Sequence, residues 1–243
     1  YRWYVLNVLC SGNAEQEAYI YKWMANMFMG KKNGSVLYLK GPADNRKSMF
    51  HELIAEYILC KDTSLVTDAW SLRDGFNTVF EGKLFVAFEE ISNTSPAKWE
   101  SVSSRLGKFL TQDTITIQRK CKEKIQINNQ MNVVICSAYD TTERHGDGRR
   151  YFVLDTSASR QDVEYFHRLK SSCFTSTFGV FLFNWILRNW YDPGFVPENL
   201  PAPRKRGGSF EIDLRSMPAL DFLYREFIEK SRDLCWETLD AFQ

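Results

Sequence analysis

A loop near the start of the chain carries the residue types that bind phosphate. Residues 41–48 read Gly-Pro-Ala-Asp-Asn-Arg-Lys-Ser, and three of the four specified positions of the pattern G-x-x-x-x-G-K-[ST] match. In that pattern, backbone amides and the lysine contact phosphate oxygens, while the final hydroxyl binds Mg²⁺. Lys47 and Ser48 occupy those two positions. Arg46 replaces the second glycine, where a positive φ or a close approach to phosphate favours a residue without a Cβ atom.

Two carboxylates follow a buried strand about forty residues further along the chain. Residues 83–88 read Lys-Leu-Phe-Val-Ala-Phe, and Glu89 and Glu90 come directly after them. A nucleotide hydrolase needs one acid near Mg²⁺ and a second that polarises the attacking water. Two solvated acids at the end of a strand would look the same in isolation. Their position after the phosphate-loop pattern favours the catalytic interpretation.

Polar residues also follow the next predicted strand. Residues 131–137 end in Ser137, and Arg149 and Arg150 come soon afterwards. A pair of arginines can stabilise transition-state charge in the site of a neighbouring subunit. Paired arginines are also common on ordinary surfaces, and spacing alone leaves both interpretations open.

A strongly basic segment lies between two short runs of alternating apolar and polar residues. Ile115 and Ile117 belong to the first run, and Ile125 and Ile127 belong to the second. This alternation predicts a β-hairpin with a cationic tip. The basic residues at the tip are Arg119, Lys120, Lys122 and Lys124. A cationic tip suits a phosphodiester backbone, although a solvated turn would have the same composition.

Strand and helix patterns alternate in the segments that must position these groups. Buried strands are predicted at 35–40, 83–88, 131–137 and 151–154, with a shorter strand near 65–66. Helices are predicted at 14–29, from 47 onwards, at about 71–80, at 98–110 and over much of 160–190. Strands separated by helices predict a three-layer α/β fold with a mostly parallel sheet.

Changes in composition divide the chain into four expected parts. An N-terminal helical segment covers 1–34 and the α/β core covers 35–192. Four of the seven prolines and the basic run at 204–206 fall within 193–209, which predicts a linker. Residues 210–243 then form a predicted C-terminal helical extension.

The composition excludes several other classes of protein. The net charge of +1 argues against a uniformly basic coat for polyanions, so any contact with nucleic acid must be local. No apolar run approaches the roughly 20 residues of a membrane helix, and no membrane partner is expected. The dispersed cysteines predict no zinc site and favour an intracellular protein, with Cys60, Cys136 and Cys173 as buried apolar residues. The chain begins at Tyr1 without a methionine, which favours a fragment of a longer polypeptide.

The order of these segments resembles the superfamily 3 helicases of viruses, phages and mobile elements, whose ATPase core is AAA+-like. GPADNRKSMF is similar to their Walker A segment and GKLFVAFEE to their Walker B segment. LTQDTITIQRKCKEKIQINNQMNVVICSA resembles the B′ hairpin region and motif C, and GDGRRYFVLDTS resembles the arginine-finger segment. The upstream stretch is similar to the primase-helicases of phages and large DNA viruses. The resemblance covers about residues 5–192.

This resemblance implies an ATP site that uses Mg²⁺, in an AAA+-like P-loop domain. The implied nucleotide-binding residues are Gly41, Pro42, Asn45, Arg46, Lys47, Ser48 and Glu89. Lys47 would contact the phosphates, Ser48 and Glu89 would bind Mg²⁺, and Glu90 would orient the water. Ser137 would assist catalysis at the end of its strand. Arg150, or in second place Arg149, would act as an arginine finger in trans.

The resemblance also implies a ring, usually a hexamer, that moves along single-stranded DNA, with RNA left open. The basic hairpin would contact the strand inside the ring, and a primase domain would precede this module in the full-length protein. The expected function is therefore the ATP-driven motor of a replicative primase-helicase.

Two positions depart from the family pattern and support an alternative function. Arg46 replaces a glycine, and Ala138 stands where the family usually has a sensing asparagine. Both changes favour an oligomeric scaffold that binds nucleic acid without hydrolysing nucleotide, unless Asn45 and Ser137 compensate. A third interpretation is a helicase-like ATPase of an RNA virus. The similarity of the upstream segment to primase-helicases argues against it.

Overall fold

A computed structural model describes residues 1–42, 45–68, 71, 77–89, 96–138, 150–156 and 163–201. The helices are α1 Arg2–Tyr4, α2 Ala14–Phe28, α3 Ser48–Leu53, α4 Pro96–Thr111, α5 Val163–Cys173 and α6 Ser176–Trp190. The strands are β1 Val36–Lys40, β2 Ser64–Asp68, β3 Phe85–Glu89, β4 Thr114–Ile117, β5 Ile125–Asn128, β6 Asn132–Ser137 and β7 Tyr151–Asp155. The described residues all lie within one compact unit, Tyr1–Pro203.

Five parallel strands form the central sheet in the order β2-β3-β6-β1-β7. Strands β1, β3 and β6 are apolar on both faces and almost wholly buried, as strands of a covered parallel sheet must be. The predicted α/β architecture with a mostly parallel sheet is confirmed. Strands β4 and β5 form a separate antiparallel hairpin, which is also as predicted.

Alternate residues of each central strand face two different apolar clusters. On one face, Leu37 and Leu39 of β1 belong to a cluster that includes side chains of α2, α3, α5 and α6. On the other face, Val36 and Tyr38 belong to a cluster with α4 and the hairpin. Helices therefore cover both faces of the sheet, and three layers result.

The N-terminal segment shares the first of these apolar clusters. Tyr4 and Leu9 are buried in it beside residues of β1, and so is Trp23 of α2. Helix α2 begins at Asn13, whose side chain accepts hydrogen bonds from the amides of Glu15 and Gln16. The segment at 1–34 thus contributes directly to the core under the sheet.

The helix predicted from residue 47 is present as α3, and a π-helical turn at Ile54–Ile58 continues it. The prediction that Cys60 is buried is wrong: Cys60 is exposed, whereas Cys136 and Cys173 are buried as predicted. The described end of the helix predicted at 71–80 is only a 3-10 turn at Thr78–Phe80.

Other parts of the prediction lie outside the described residues. They include Glu90, Arg149, the end of the proposed linker and the C-terminal extension at 210–243. No helix in the described ranges is both long enough and apolar enough to cross a membrane.

Candidate nucleotide site

The carboxyl ends of four parallel strands bring the candidate site residues to one edge of the sheet. Lys40 of β1 pairs in register with Ser137 of β6 and Asp155 of β7, and Glu89 of β3 pairs with Cys136. Gly41 continues from β1, and its amide donates to the Ser137 carbonyl at 3.0 Å. Crevices outside the carboxyl ends of parallel strands are the usual ligand sites of open α/β sheets. The phosphate-loop residues and Glu89 therefore share such an edge.

Lys47 turns back onto the start of its own loop. Its side-chain Nζ atom donates hydrogen bonds to the carbonyls of Gly41 and Pro42, each at 2.9 Å, and the residue is only 7% exposed. The ammonium group is thus held within the loop by two neutral acceptors. A phosphate oxygen would make a stronger, charge-assisted hydrogen bond with the same donor than a carbonyl does.

Arg46 adopts the backbone conformation that the glycine in the motif would adopt. Its φ angle is +59°, in the left-handed region that costs a residue with a Cβ atom on the order of 1 kcal/mol. The backbone at this position therefore has a positive φ although arginine stands in place of the glycine. The Arg46 carbonyl accepts hydrogen bonds from the Tyr4 hydroxyl at 2.8 Å and from the Met49 amide at 3.1 Å.

Asn45 and Thr156 join the phosphate loop to the end of β7. The Asn45 side chain accepts from the Lys47 amide at 3.3 Å and donates to the Thr156 hydroxyl. That hydroxyl donates in turn to the Lys40 carbonyl at 2.6 Å. Gly41 lies under this bridge, where a Cβ atom would overlap both the Thr156 hydroxyl and the Asn45 amide. Position 41 therefore requires glycine, because the side chains of Thr156 and Asn45 leave no room for a Cβ atom.

Glu89 makes a contact that the sequence analysis did not assign. The Nε2 atom of His51, in α3, lies 3.1 Å from the Glu89 Oε1 atom. This close contact with His51 lowers the pKa of Glu89 more strongly than partial burial raises it. The carboxylate is consequently kept ionised, and it remains about half exposed at the edge of the sheet.

The oxygen donors at this edge fit a magnesium ion. Ser48 supplies an exposed hydroxyl at the start of α3, and Glu89 supplies an ionised carboxylate. Mg²⁺ is commonly bound by one or two protein oxygens together with waters and substrate phosphates. No group of three or more His, Cys, Asp or Glu in the described ranges could hold a metal ion. Any magnesium here would therefore depend on phosphate oxygens for much of its coordination.

A cavity of about 480 Å³ opens beside the phosphate loop, between α3 and α5. Its walls combine aromatic side chains with cationic and hydroxyl groups. The lining residues that matter here are Arg46, Ser48, Tyr57, Phe166, His167 and Lys170. The volume is in the range of small-molecule sites. No sequence motif pointed to it, because its residues come from segments more than a hundred positions apart.

The structure separates Arg150 from the loop. Arg150 immediately precedes β7, and Tyr151 pairs in register with Val36 at the start of β1. Arg150 therefore lies at the amino edge of the sheet, about 17 Å from the carboxyl edge at ~3.3 Å per residue. Ser137, in contrast, is buried at the carboxyl edge beside Gly41, and Ala138 follows it.

The hairpin carries its charges in two different ways. Lys120, Lys122 and Lys124 are exposed at the tip, whereas Arg119 forms an ion pair with Glu81, with Nε and Oε2 3.1 Å apart. The side chain of Asn77 continues the β4 ladder: it donates to the Thr116 carbonyl at 2.8 Å and accepts from the Gln118 amide at 2.8 Å.

These contacts distinguish the four predicted nucleic-acid residues. Three of them are exposed cations, and the fourth, Arg119, ties the hairpin to the body of the domain. Neither Glu81 nor Asn77 was predicted to support the hairpin.

Comparisons with known proteins show similarity in sequence to a phage primase-polymerase and in fold to solved structures that include a helicase. Residues 39–150 match a family model described as a family of unknown function, DUF5906. Over 145 residues the chain is 26% identical to the DNA primase-polymerase of Nitratiruptor phage NrS-1, covering 59% of this chain and 20% of the phage protein.

Solved structures show the same relationship at the level of the fold. The apo C-terminal region of NrS-1 has a TM-score of 0.58 and 19% identity, covering 78% of this chain and 51% of that one. A JCV helicase structure has a TM-score of 0.51 and 15% identity, covering 71% and 51%. The chain spans about half the length of these structures and a fifth of the phage protein. It has a helicase-like α/β fold and weak homology to a phage primase-polymerase.

Proposed function

We propose that this chain is the ATP-driven motor of a superfamily 3 primase-helicase from a virus, phage or mobile element. The observation that carries the proposal is the meeting of the Lys47–Ser48 loop with Glu89 at one edge of a parallel sheet. A phosphate ligand and Mg²⁺ need this combination of cation, hydroxyl and carboxylate. The helicase-like fold and the phage homology support the same assignment.

Each group has a specific task in the proposed reaction. Lys47 exchanges its contacts with the Gly41 and Pro42 carbonyls for phosphate oxygens, and Ser48 and Glu89 hold Mg²⁺. The metal, when bound, supplies positive charge that offsets the charge developing on the phosphates. Glu90 orients the attacking water, and the cavity between α3 and α5 receives the nucleoside. The buried Ser137 hydroxyl serves as the polar group nearest to the position of the sensing asparagine.

Assembly into a ring explains the location of Arg150. An arginine about 17 Å from the loop along the strand direction cannot reach the phosphates of its own chain. In a ring, usually a hexamer in such motors, the same arginine reaches the site of the adjacent subunit, with Arg149 as the second candidate. The exposed lysines of the hairpin then contact single-stranded DNA, and RNA is the competing ligand. A primase domain is expected to precede this module in the full-length protein.

Equilibrium binding of a fluorescent ATP analogue with Mg²⁺ is the first test. We expect micromolar binding to the 243-residue chain, loss of that binding in Lys47→Ala, and retention in the exposed-site control Lys61→Ala. Glu90→Gln should retain binding and lose hydrolysis, and single-stranded DNA should stimulate hydrolysis in the parent chain. Equal hydrolysis by the parent, Lys47→Ala and Glu90→Gln would exclude the motor.

A scaffold that binds nucleic acid without hydrolysing nucleotide is the second candidate. Two observations favour it: the Arg46 side chain lines the cavity, and the Lys47 ammonium group is already bonded to loop carbonyls. Arg46→Gly separates the two candidates. A large gain in nucleotide affinity in Arg46→Gly over a non-binding parent would support the scaffold, and micromolar binding by the parent itself would support the motor.

A further inference from the structure

We propose that Tyr4 is a positioning residue for the phosphate loop. Its hydroxyl holds the Arg46 carbonyl and so stabilises the left-handed backbone turn that presents Lys47 and Ser48. The expected effect of Tyr4 on nucleotide affinity rests on the proposed function of that loop. Its expected effect on the conformation of the loop does not depend on that function.

The Tyr4 side chain reaches the loop from the N-terminal segment through the core. Tyr4 is 0% exposed, and its ring contacts Tyr1 and Phe166. Its hydroxyl donates to the Arg46 carbonyl at 2.8 Å and lies 3.4 Å from the Lys47 carbonyl. A buried hydroxyl needs an acceptor, and the loop backbone supplies it. The Tyr4 hydroxyl therefore depends on the loop backbone for its acceptor, and the Arg46 carbonyl gains a buried donor from Tyr4.

The position of this bond in the loop gives it a specific role. A residue with a Cβ atom populates the left-handed region roughly tenfold less than glycine does. Arg46 nevertheless adopts φ +59°, so its surroundings must hold that conformation. The carbonyls that Tyr4 contacts also accept the Met49 and Phe50 amides, at 3.1 and 3.2 Å. Tyr4 thus supports the turn and the first hydrogen bonds of α3 together.

A second contact links the N-terminal segment to the same edge of the sheet. The Ser11 hydroxyl donates to the Asp155 carbonyl at 2.7 Å, next to Thr156 of the bridge to Asn45. The segment therefore contacts the phosphate loop through Tyr4 and the end of β7 through Ser11.

Hydrogen exchange of the nucleotide-free chain tests the positioning role directly. Tyr4→Phe removes the hydroxyl and keeps the ring, and it should accelerate exchange of the Met49 and Phe50 amides about fivefold. Tyr21→Phe is the matched control, because the Tyr21 hydroxyl is buried in the same cluster without a hydrogen-bond partner in the described structure. Unchanged exchange in Tyr4→Phe, or equal acceleration in the control, would overturn the inference.

Nucleotide affinity in two backgrounds tests the link to Arg46. Tyr4→Phe should weaken binding of the ATP analogue about fivefold in the parent chain, and less than twofold when Arg46→Gly is already present. Equal weakening in both backgrounds would show a general structural role and would contradict the inference. If the parent binds no nucleotide, the proposed function fails, and the exchange experiment still decides the role of Tyr4.

Discussion

His51 Nε2 lies 3.1 Å from Glu89 Oε1, so the helix that follows the phosphate loop directly contacts the acid at the end of β3. His51 is 3% exposed, whereas the side chain of Glu89 is 47% exposed. The imidazole therefore contacts the carboxylate from the interior of the domain, and the carboxylate remains partly exposed to solvent. One side chain thus links two parts of the candidate site that are 38 positions apart in sequence.

Replacing His51 should raise the pKa of Glu89. Glu89 has a lowered pKa in the folded chain, chiefly through its close contact with His51, so His51→Ala should move that pKa towards its ordinary value. A carboxyl with a lowered folded pKa adds stability above its unfolded pKa and loses it as pH falls through the folded pKa. His51→Ala should therefore reduce the part of the acid-side pH dependence that Glu89 contributes.

A carboxyl-detected NMR titration of Glu89 measures this change. His167→Ala is the control, because His167 is exposed in α5 and is not among the groups that shift the pKa of Glu89. An unchanged Glu89 titration in His51→Ala would refute the assignment of His51 as the cause.

Gly41→Ala should destabilise the domain and abolish nucleotide binding. The added Cβ atom would overlap the Thr156 hydroxyl and the Asn45 amide, and both belong to the bridge that holds the loop. Overpacking of this kind typically costs about 1–3 kcal/mol. Gly82→Ala is the control for a glycine without a close contact, since Gly82 has a φ of +71° and no atom within 4 Å of the added carbon.

Denaturant unfolding distinguishes the two causes. Gly82→Ala should show only the cost of the left-handed conformation, on the order of 1 kcal/mol. A cost for Gly41→Ala no larger than that for Gly82→Ala would contradict the overlap with Thr156 and Asn45.

The central strands could be predicted from sequence because their residues are apolar on both faces. The runs at 36–40, 85–89 and 132–137 contain few polar residues, which is the pattern of a covered parallel sheet. The hairpin was predictable for a different reason, the alternation of isoleucines in β4 and β5. In both cases the signal is local and repeats along the chain.

The contacts that complete the site have no such local signal. Tyr4 contacts Arg46 across 42 positions, and Asn45 contacts Thr156 across 111. The second contact depends on the pairing of β1 with β7, which brings the ends of these two distant strands together. His51 follows Ser48 by one helical turn and could have been placed near the loop. Its partner Glu89 could not be identified without the sheet.

Two helical glycines should respond in opposite directions to the same substitution. In α6, a Cβ atom on Gly179 would overlap the carbonyl of Tyr57, which belongs to the π-helical turn Ile54–Ile58. In α4, a Cβ atom on Gly107 meets nothing within 4 Å. Gly179→Ala should therefore lower the free energy of unfolding by about 1–3 kcal/mol. Gly107→Ala should raise it by about 0.5–1 kcal/mol through improved helix propensity.

Thermal and denaturant unfolding of both variants check this pair. Because the chemical change is identical, a difference in sign isolates the close contact between α6 and the turn at Tyr57. Stabilisation by Gly179→Ala would contradict that contact.

Removing the exposed charges of the hairpin should reduce the salt dependence of binding to single-stranded DNA. The triple substitution Lys120→Ala, Lys122→Ala and Lys124→Ala removes three exposed cations. Each phosphate contact contributes about 0.7 to the slope of log affinity against log salt for single strands, so the slope should fall by about 2. Fluorescence anisotropy with a labelled oligonucleotide, measured over a range of salt concentrations, determines that slope.

Arg119 should behave differently from the three lysines. Its guanidinium is already paired with Glu81, so less of its charge is available to a phosphate. Arg119→Ala should therefore change the slope less than any one lysine substitution, while it loosens the attachment of the hairpin to the domain. Arg188→Gln controls for the loss of a positive charge elsewhere, since Arg188 is exposed in α6, whose buried residues belong to the other apolar cluster. A slope reduced equally by Arg188→Gln and by a hairpin lysine variant would mean that the tip is not the DNA contact, because only overall charge would then affect affinity.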